Sequence, residues 1–264
     1  MKADQRLKGI SHHEKAGVCV ATIDRSTQAN SFDFETMEAL EHVLAKAESD
    51  DDIRGFILTG SGNRFFCAGA DMKLVRGLDL RGYADFLANG LHLIQRIQEF
   101  PKPTLAAING LSIGGGSEIA LACDFVMASE QAEISFPELS LGMVPGWGGA
   151  VRLARLVGQA KAMEILLTGN KLAAEEAERL GLVNRVVPSE DLLPEAQALM
   201  QTVLRNSPLA INMTKRMIRS ERDVSSQAGE HFEAYASLVT FMSRDGKEGI
   251  DSIFAGKKPV WSGK

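Results

Sequence analysis

The sequence predicts an α/β protein that ends in a helical region. Short apolar runs typical of strands alternate with amphipathic runs typical of helices through the first two-thirds of the chain. From about residue 146 onward helical patterns dominate, with one strand-like interval at 182–187. Such alternation indicates an α/β core. We therefore divide the chain into a core over 1–200 and a helical region over 201–264.

The first two-thirds of the chain contains four predicted strands. Apolar, β-branched sequence gives them at 17–23, 55–60, 104–109 and 124–129. The first helix is capped by Ser31 or Asp33 and repeats apolar residues at three- and four-residue spacing over 37–47. A second amphipathic helix is predicted over 83–99, and a third begins in the glycine-rich run 114–118. The strand-to-helix junctions are thus the places to search for a site.

Composition excludes several classes of protein. The 264 residues are 45% hydrophobic and 24% charged, which is ordinary for a globular chain and excludes disorder or fibrous repeats. The 34 acidic residues exceed the 29 basic ones, so we expect no nucleic-acid partner. Charged residues interrupt every long apolar stretch, so we expect no membrane span. The first residues show neither a signal-peptide nor a transit-peptide pattern, so we expect a cytoplasmic protein.

The metal-ligating residue types show no ligand spacing. Cys19, Cys67 and Cys123 are far apart, form no Cys-x-x-Cys pair and are odd in number, which argues against a disulfide framework or a zinc site. The five histidines show no His-x-x-x-His pair. We therefore expect no metal. Cys67 lies in a small-residue turn and is expected to line a site without chemistry of its own.

One short motif suggests a serine hydrolase. Residues 110–114 match Gly-x-Ser-x-Gly around Ser112, between a predicted strand and a predicted helix. The only downstream histidine is His231, which lies in a helical pattern rather than in the expected loop, and the upstream oxyanion motif is absent. Five-residue motifs often match by chance, so this is a distant alternative.

Two small-residue turns indicate an oxyanion hole. Three consecutive glycines, 114–116, stand at a helix start, where backbone N–H groups lack intrahelical partners and side-chain cover. The run 67–71, Cys-Ala-Gly-Ala-Asp, is another such turn after a strand. Two turns of this kind can donate two N–H groups to one oxygen. Close packing of backbone is the simpler explanation for either turn alone.

Two glutamates complete the candidate site. Glu118 stands in the first turn of an otherwise apolar helix, where it could also serve only as a dipole partner. Glu138 follows Phe136 and Pro137 in an apolar stretch, and such surroundings raise a carboxyl pKa toward that of a general acid. A buried structural acid would look the same. The residues alone therefore indicate an oxyanion hole with two nearby carboxyl groups.

These segments together resemble the crotonase (enoyl-CoA hydratase/isomerase) family. The similarity runs in order along nearly the whole chain. It is carried by FCAGAD, KPTLAAINGLSIGGGSEIALACDFVMAS, ISFPELSLGMVPGWGGAVRLARLVG, AMEILLTG and AAEEAERLGLVNRVVP. Several ordered motifs coincide, so the resemblance is specific.

The resemblance implies a fold and an assembly. The fold is α/β, a crotonase-like spiral of ββα repeats with a helical C-terminal region that forms homotrimers, often paired as hexamers. One departure is that Ala29 and Ser31 flank Asn30 where the family often has a basic residue before the Asn and alanine after it. We therefore do not expect the family's basic contact to the coenzyme phosphates at that point.

The resemblance also implies a reaction and its residues. The family binds acyl-coenzyme A thioesters, with the thioester oxygen held by two backbone N–H groups that fall here on Ala70 and Gly115. The hydratases use two glutamates, matched by Glu118 and Glu138. Contacts to coenzyme A are implied at four residues: Ala68, Asp71, Met72 and Lys73. Coenzyme A is part of the substrate, and no separate cofactor is expected.

Retention of both glutamates favours an enoyl-CoA hydratase, which reversibly adds water across the 2,3-double bond of a 2-enoyl-CoA to give a 3-hydroxyacyl-CoA, in fatty-acid or related acyl degradation. The alternatives are an enoyl-CoA isomerase or another crotonase-type activity, since this scaffold hosts several chemistries. A non-catalytic member that binds acyl-CoA or RNA is a further alternative.

Overall fold

The computed structural model describes residues 2–220 and 226–264. Eleven strands and eleven α-helices are seen in these ranges. The strands are β1 (Lys2–Leu7), β2 (Ile10–Lys15), β3 (Val18–Ile23), β4 (Gly55–Gly60), β5 (Phe65–Cys67), β6 (Thr104–Ile108), β7 (Leu111–Ile113), β8 (Phe125–Ser129), β9 (Glu133–Ser135), β10 (Leu172–Ala173) and β11 (Arg185–Val187). The helices are α1 (Phe34–Ser49), α2 (Met72–Val75), α3 (Leu80–Glu99), α4 (Gly115–Ala120), α5 (Gly149–Val157), α6 (Gln159–Thr168), α7 (Ala174–Arg179), α8 (Leu192–Val203), α9 (Pro208–Ser220), α10 (Ser226–Met242) and α11 (Arg244–Ala255).

Two sheets form the core of the fold. The larger has the order β1-β2-β3-β4-β6-β8-β11, antiparallel through β1, β2 and β3 and parallel from β3 to β11. The smaller has the order β10-β9-β7-β5 and is parallel except at β10. Strand pairs β4–β5, β6–β7 and β8–β9 each give one strand to each sheet before a helix follows. This is the predicted spiral of ββα repeats.

Four parallel strands of the large sheet, β3, β4, β6 and β8, are buried on both faces, which explains their continuous apolar sequences. One face packs into the main core with α1 and α3. The other is covered by α8, whose Leu192, Ala196 and Met200 pack on Ile57 and Leu105. Full burial of each large apolar side chain contributes about 1.5–3 kcal/mol.

The predicted long elements are observed. The strands predicted at 17–23, 55–60, 104–109 and 124–129 correspond to β3, β4, β6 and β8, and the interval 182–187 contains β11. The cap of α1 is Asp33, whose side chain accepts a hydrogen bond from the Thr36 amide. Of the helices in the described ranges, none combines the length and the apolar character that crossing a bilayer needs.

Candidate active site

A cavity of about 180 Å³ lies where the two small-residue turns meet. Its walls come from the 68–72 turn, from α3, from the junction of β7 and α4, and from the loop that leads into α5. Six residues predicted from the sequence line it: Ala68, Ala70, Met72, Gly115, Glu118 and Glu138. Parallel pairing of β5 with β7 brings the ends of the two strands, and hence the two turns, together.

The 67–71 turn is held against the start of α4. Gly69 has φ +79°, and a Cβ there would lie 2.8 Å from the Gly115 amide nitrogen. On either side of Ala70, the Gly69 carbonyl accepts from Phe32 N at 2.7 Å and Asp71 N donates to Phe32 O at 2.8 Å. Within the described residues, the amides of Ala70 and Gly115 donate to no protein acceptor. Two such amides can donate to one substrate oxygen.

Each glycine at the start of α4 makes room for a different neighbour. A Cβ at Gly114 would lie 2.6 Å from Glu138 Oε1. A Cβ at Gly115 would overlap the Trp147 ring, and one at Gly116 would overlap the Cys67 carbonyl. The triple glycine is therefore required by packing as well as by access to the backbone amides.

Glu118 is buried and held in place by backbone donors. It is 2% exposed, and its Oε1 accepts from the amides of Trp147 at 2.8 Å and Gly149 at 2.6 Å. Burial raises its pKa above the ordinary value, while the two amides and the Arg152 charge act to lower the pKa. The carboxyl group therefore has a fixed orientation in which Oε1 is occupied by donors.

Glu138 has a different environment. It opens a 3₁₀ turn over Glu138–Leu141, and its Oε2 is buried with no hydrogen-bond partner among the described residues. Burial raises its pKa to about 7, and the nearby charge of Glu118 adds to the rise. A carboxyl group with this pKa can give and take a proton near neutral pH.

The four residues implied for coenzyme A differ in what surrounds them. Ala68 and Met72 line the cavity, whereas Lys73 is exposed on α2. The Asp71 side chain caps α2 through the Lys73 and Leu74 amides, and its Oδ2 pairs with Arg25 at 3.2 Å. Asp71 therefore has a structural role in the turn that carries Ala70.

A family model described as enoyl-CoA hydratase/isomerase matches residues 13–264. The chain belongs to this family. It is 36% identical over 252 residues to a probable mitochondrial enoyl-CoA hydratase of Dictyostelium discoideum, covering 95% of this chain and 90% of that protein. It is 34% identical over 252 residues to the short-chain-enoyl-CoA hydratase of Clostridium acetobutylicum, covering 96% and 97%. The fold is similar to the crystal structure of an enoyl-CoA hydratase from Bacillus anthracis, with TM-score 0.94 and 32% identity, covering 97% of this chain and all of that one.

Two residues of this family member were not found by sequence reasoning. Tyr83 of α3 lines the cavity, and burial raises its pKa. Arg152 of α5 is 9% exposed and lies behind the turn that binds Glu118. The one available signal for Arg152 was a basic residue one turn into an apolar helix that follows a glycine-rich turn.

The side chain of Trp147 belongs both to the cavity wall and to the hydrophobic core. It lines the cavity, is 4% exposed and lies 5.7 Å from the Phe86 ring. The three cysteines are free and buried, and burial raises the pKa of each thiol to about 12. Cys67 was expected to line the site, but it lies beneath the surface of the cavity.

The serine hydrolase alternative finds no support in the family fold. Ser112 is fully buried in β7, with its hydroxyl 3.4 Å from Ser117 Oγ. His231 is exposed on α10. In the described ranges, no three His, Cys, Asp or Glu side chains are grouped so that they could hold a metal ion.

Proposed function

We propose that this protein is an enoyl-CoA hydratase. The observation that carries the proposal is that two glutamates with different environments line one cavity together with two backbone amides. The thioester oxygen accepts hydrogen bonds from Ala70 N and Gly115 N, which draws electron density from the β-carbon of the enoyl group. Removal of one such donor typically costs an enzyme about 3–4 kcal/mol of transition-state stabilisation.

Proton transfer is divided between the two glutamates. Ionised Glu118 takes a proton from water as the water oxygen bonds to the β-carbon. Neutral Glu138 gives its proton to the α-carbon of the resulting enolate, which yields a 3-hydroxyacyl-CoA. Dehydration follows the same path in reverse. The reaction requires no change of oxidation state overall, and we propose that it needs neither metal nor redox cofactor.

The test is the loss of enoyl-thioester absorbance when the protein is mixed with crotonyl-CoA. Glu118→Gln and Glu138→Gln should each lower kcat by about 10²–10⁴-fold, the usual contribution of a positioned proton-transfer group. Glu164→Gln, on exposed α6, is the matched control and should keep the wild-type rate. Wild-type protein that hydrates no 2-enoyl-CoA of four to ten carbons would refute the proposal, as would full activity in both active-site variants.

Double-bond isomerisation is the second candidate. Glu138 alone, with its pKa of about 7, can carry a proton between the α- and γ-carbons of an enoyl thioester. Conversion of a 3-enoyl-CoA to a 2-enoyl-CoA that proceeds faster than hydration and survives Glu118→Gln would favour this activity.

We also propose that the protein assembles as a homotrimer or a pair of trimers in the cytoplasm, with an acyl-CoA substrate and no nucleic-acid or membrane partner. Large apolar side chains are exposed along the C-terminal helices, as expected of an interface. They include Tyr235, Leu238, Phe241, Met242, Ile253 and Phe254. Sedimentation should give three or six times 28.5 kDa, and a monomer would refute the assembly. Cell fractionation tests the location.

A further inference from the structure

Arg152 lies behind the turn that binds Glu118. Its Nη1 donates to the Trp147 carbonyl at 2.8 Å, and its Nε donates to Gln98 Oε1 of α3 at 3.3 Å. The turn closes tightly over the guanidinium group, because Gly148 has φ +88° and a Cβ there would lie 3.0 Å from both Nη atoms. The residues on either side of Gly148 provide the two amides that bind Glu118.

We propose that Arg152 is a positioning residue for the proposed reaction, fixing the 147–149 turn so that its two amides hold Glu118 in its productive orientation. The proposal rests on the proposed function for its kinetic test alone. Among the described residues, the hydrogen bonds of Arg152 go to the turn and to α3, and Arg152 does not line the 180 Å³ cavity, so it acts on the substrate through Glu118. A planar guanidinium group with several donors suits this position better than an ammonium group.

The charge of Arg152 also acts on Glu118. Within the described part of the chain, the charged and titratable groups that face Glu118 are Arg152, Glu138 and Tyr83, and of these three Arg152 is the cation. Burial lowers the pKa of Arg152 itself. The charge of Glu118 acts to raise that pKa, and the charges of Arg219 and Arg155 act to lower it. Loss of Arg152 should therefore raise the pKa of Glu118 as well as loosen the turn. A role in folding alone would leave the pH dependence unchanged.

The kinetic test compares Arg152→Gln, Arg152→Lys and the matched control Arg155→Gln, which removes a cation one turn further along α5. Arg152→Gln should lower kcat about 10- to 100-fold, the range found when a residue that orients a metal ligand is removed. KM should change less than threefold, since the oxyanion donors remain. The acidic limb of the kcat profile should move up by about one pH unit, because Glu118 must be ionised.

Arg152→Lys separates geometry from charge. Arg152→Lys should keep the wild-type position of the acidic limb in the pH profile of kcat, and its kcat should be lower. Arg155→Gln should keep both the wild-type limb and the wild-type kcat. Wild-type kcat and an unshifted limb in Arg152→Gln would overturn the proposal, as would an equal loss in Arg155→Gln. If Arg152→Gln fails to fold by circular dichroism, Arg152→Lys decides: reduced kcat supports the proposal and wild-type kcat overturns it.

A measurement without substrate keeps this inference distinct from the proposed function. Carboxyl ¹³C NMR of glutamate-labelled protein, assigned through Glu118→Gln, reports the Glu118 titration directly. Arg152→Gln should shift that titration to higher pH even if the wild-type enzyme proves to hydrate nothing. An unchanged Glu118 titration would overturn the charge effect whatever the activity.

Discussion

Glu118 is bound by two amides with a cation behind them, whereas Glu138, in the same cavity, has a buried oxygen with no donor among the described residues. Burial raises both pKa values, but only for Glu118 do several contacts offset the rise. One site thus contains a carboxyl group of fixed orientation beside one whose pKa allows it to bind or release a proton near neutral pH.

One scaffold can thus give two carboxyl groups of the same residue type different properties. A base that directs water must point in one direction, and hydrogen bonds to one oxygen leave the other available. An acid that delivers a proton to carbon must be largely neutral near pH 7. At Glu138 burial outweighs the one backbone hydrogen bond, from its own amide, that lowers the pKa. The comparison can be tested by disturbing each carboxyl group separately.

The largest effect should come from crowding the two carboxyl groups. In Gly149→Ala the new Cβ would lie 2.6 Å from Glu118 Cγ, and the bonded carboxyl group cannot move without losing its donors. We expect kcat to fall about 100-fold, since a misplacement near 1 Å can cost that much. In Gly114→Ala the Cβ meets Glu138 Oε1, which can rotate away, but Gly114 has φ +53°, so this variant also strains the turn that carries the Gly115 amide.

Gly77→Ala is the control for this pair, because its Cβ would approach nothing closer than 3.5 Å. Its kcat should equal that of the wild type. A wild-type kcat in Gly149→Ala would contradict the fixed orientation of Glu118.

The next effect is on stability and depends on pH. The folded-state pKa of Glu138, about 7, exceeds the ordinary value of 4.5, so folding disfavours its ionised form. The resulting penalty is absent below pH 4.5, grows as pH rises and is complete above pH 7. Glu138→Gln should therefore be about 2–3 kcal/mol more stable than wild type at pH 8 and less than about 1 kcal/mol more stable at pH 5.

Urea unfolding at the two pH values checks this expectation. Glu118→Gln should be measured beside Glu138→Gln. It also removes a buried carboxylate, but it leaves the Arg152 charge without its counterion. The increase in the free energy of unfolding at pH 8 should therefore be smaller for Glu118→Gln than for Glu138→Gln. A stability difference for Glu138→Gln that is independent of pH would contradict the raised pKa.

Sequence reasoning predicted the long elements because their burial on both faces produces continuous apolar runs, as in GFILTG of β4. It missed β1 and β2, whose sequences KADQRL and ISHHEK are largely polar. It also missed β5, β7 and β9, each only three residues long. A run that short cannot display a period of two, and the pairing partner supplies the information instead.

The candidate site shows the same division. The two turns and the two glutamates were found because small residues and isolated acids in apolar sequence are local signals. The roles of these residues stay predictions until the variants are assayed. Arg152 escaped notice because its relation to Glu118 depends on the left-handed Gly148 and on the Trp147 carbonyl. Those are properties of folded backbone rather than of residue type.

The smallest expected effect tests the outer part of the site. Lys73 is exposed on α2, next to Met72 at the cavity, and its side chain is a candidate contact for the coenzyme phosphates. Lys73→Ala should raise KM about three- to fivefold at low salt with kcat unchanged, because an exposed ion pair contributes up to about 1 kcal/mol. The difference should fade at 1 M salt, where screening acts within about 3 Å. Lys161→Ala, on α6 away from the cavity, should show no such change.

An unchanged KM in Lys73→Ala would assign this lysine to the solvated surface. Substrate recognition would then be confined to the two turns and the apolar walls of the cavity. A fall in kcat instead would mean that α2 also positions Ala70, through the Asp71 cap that joins them.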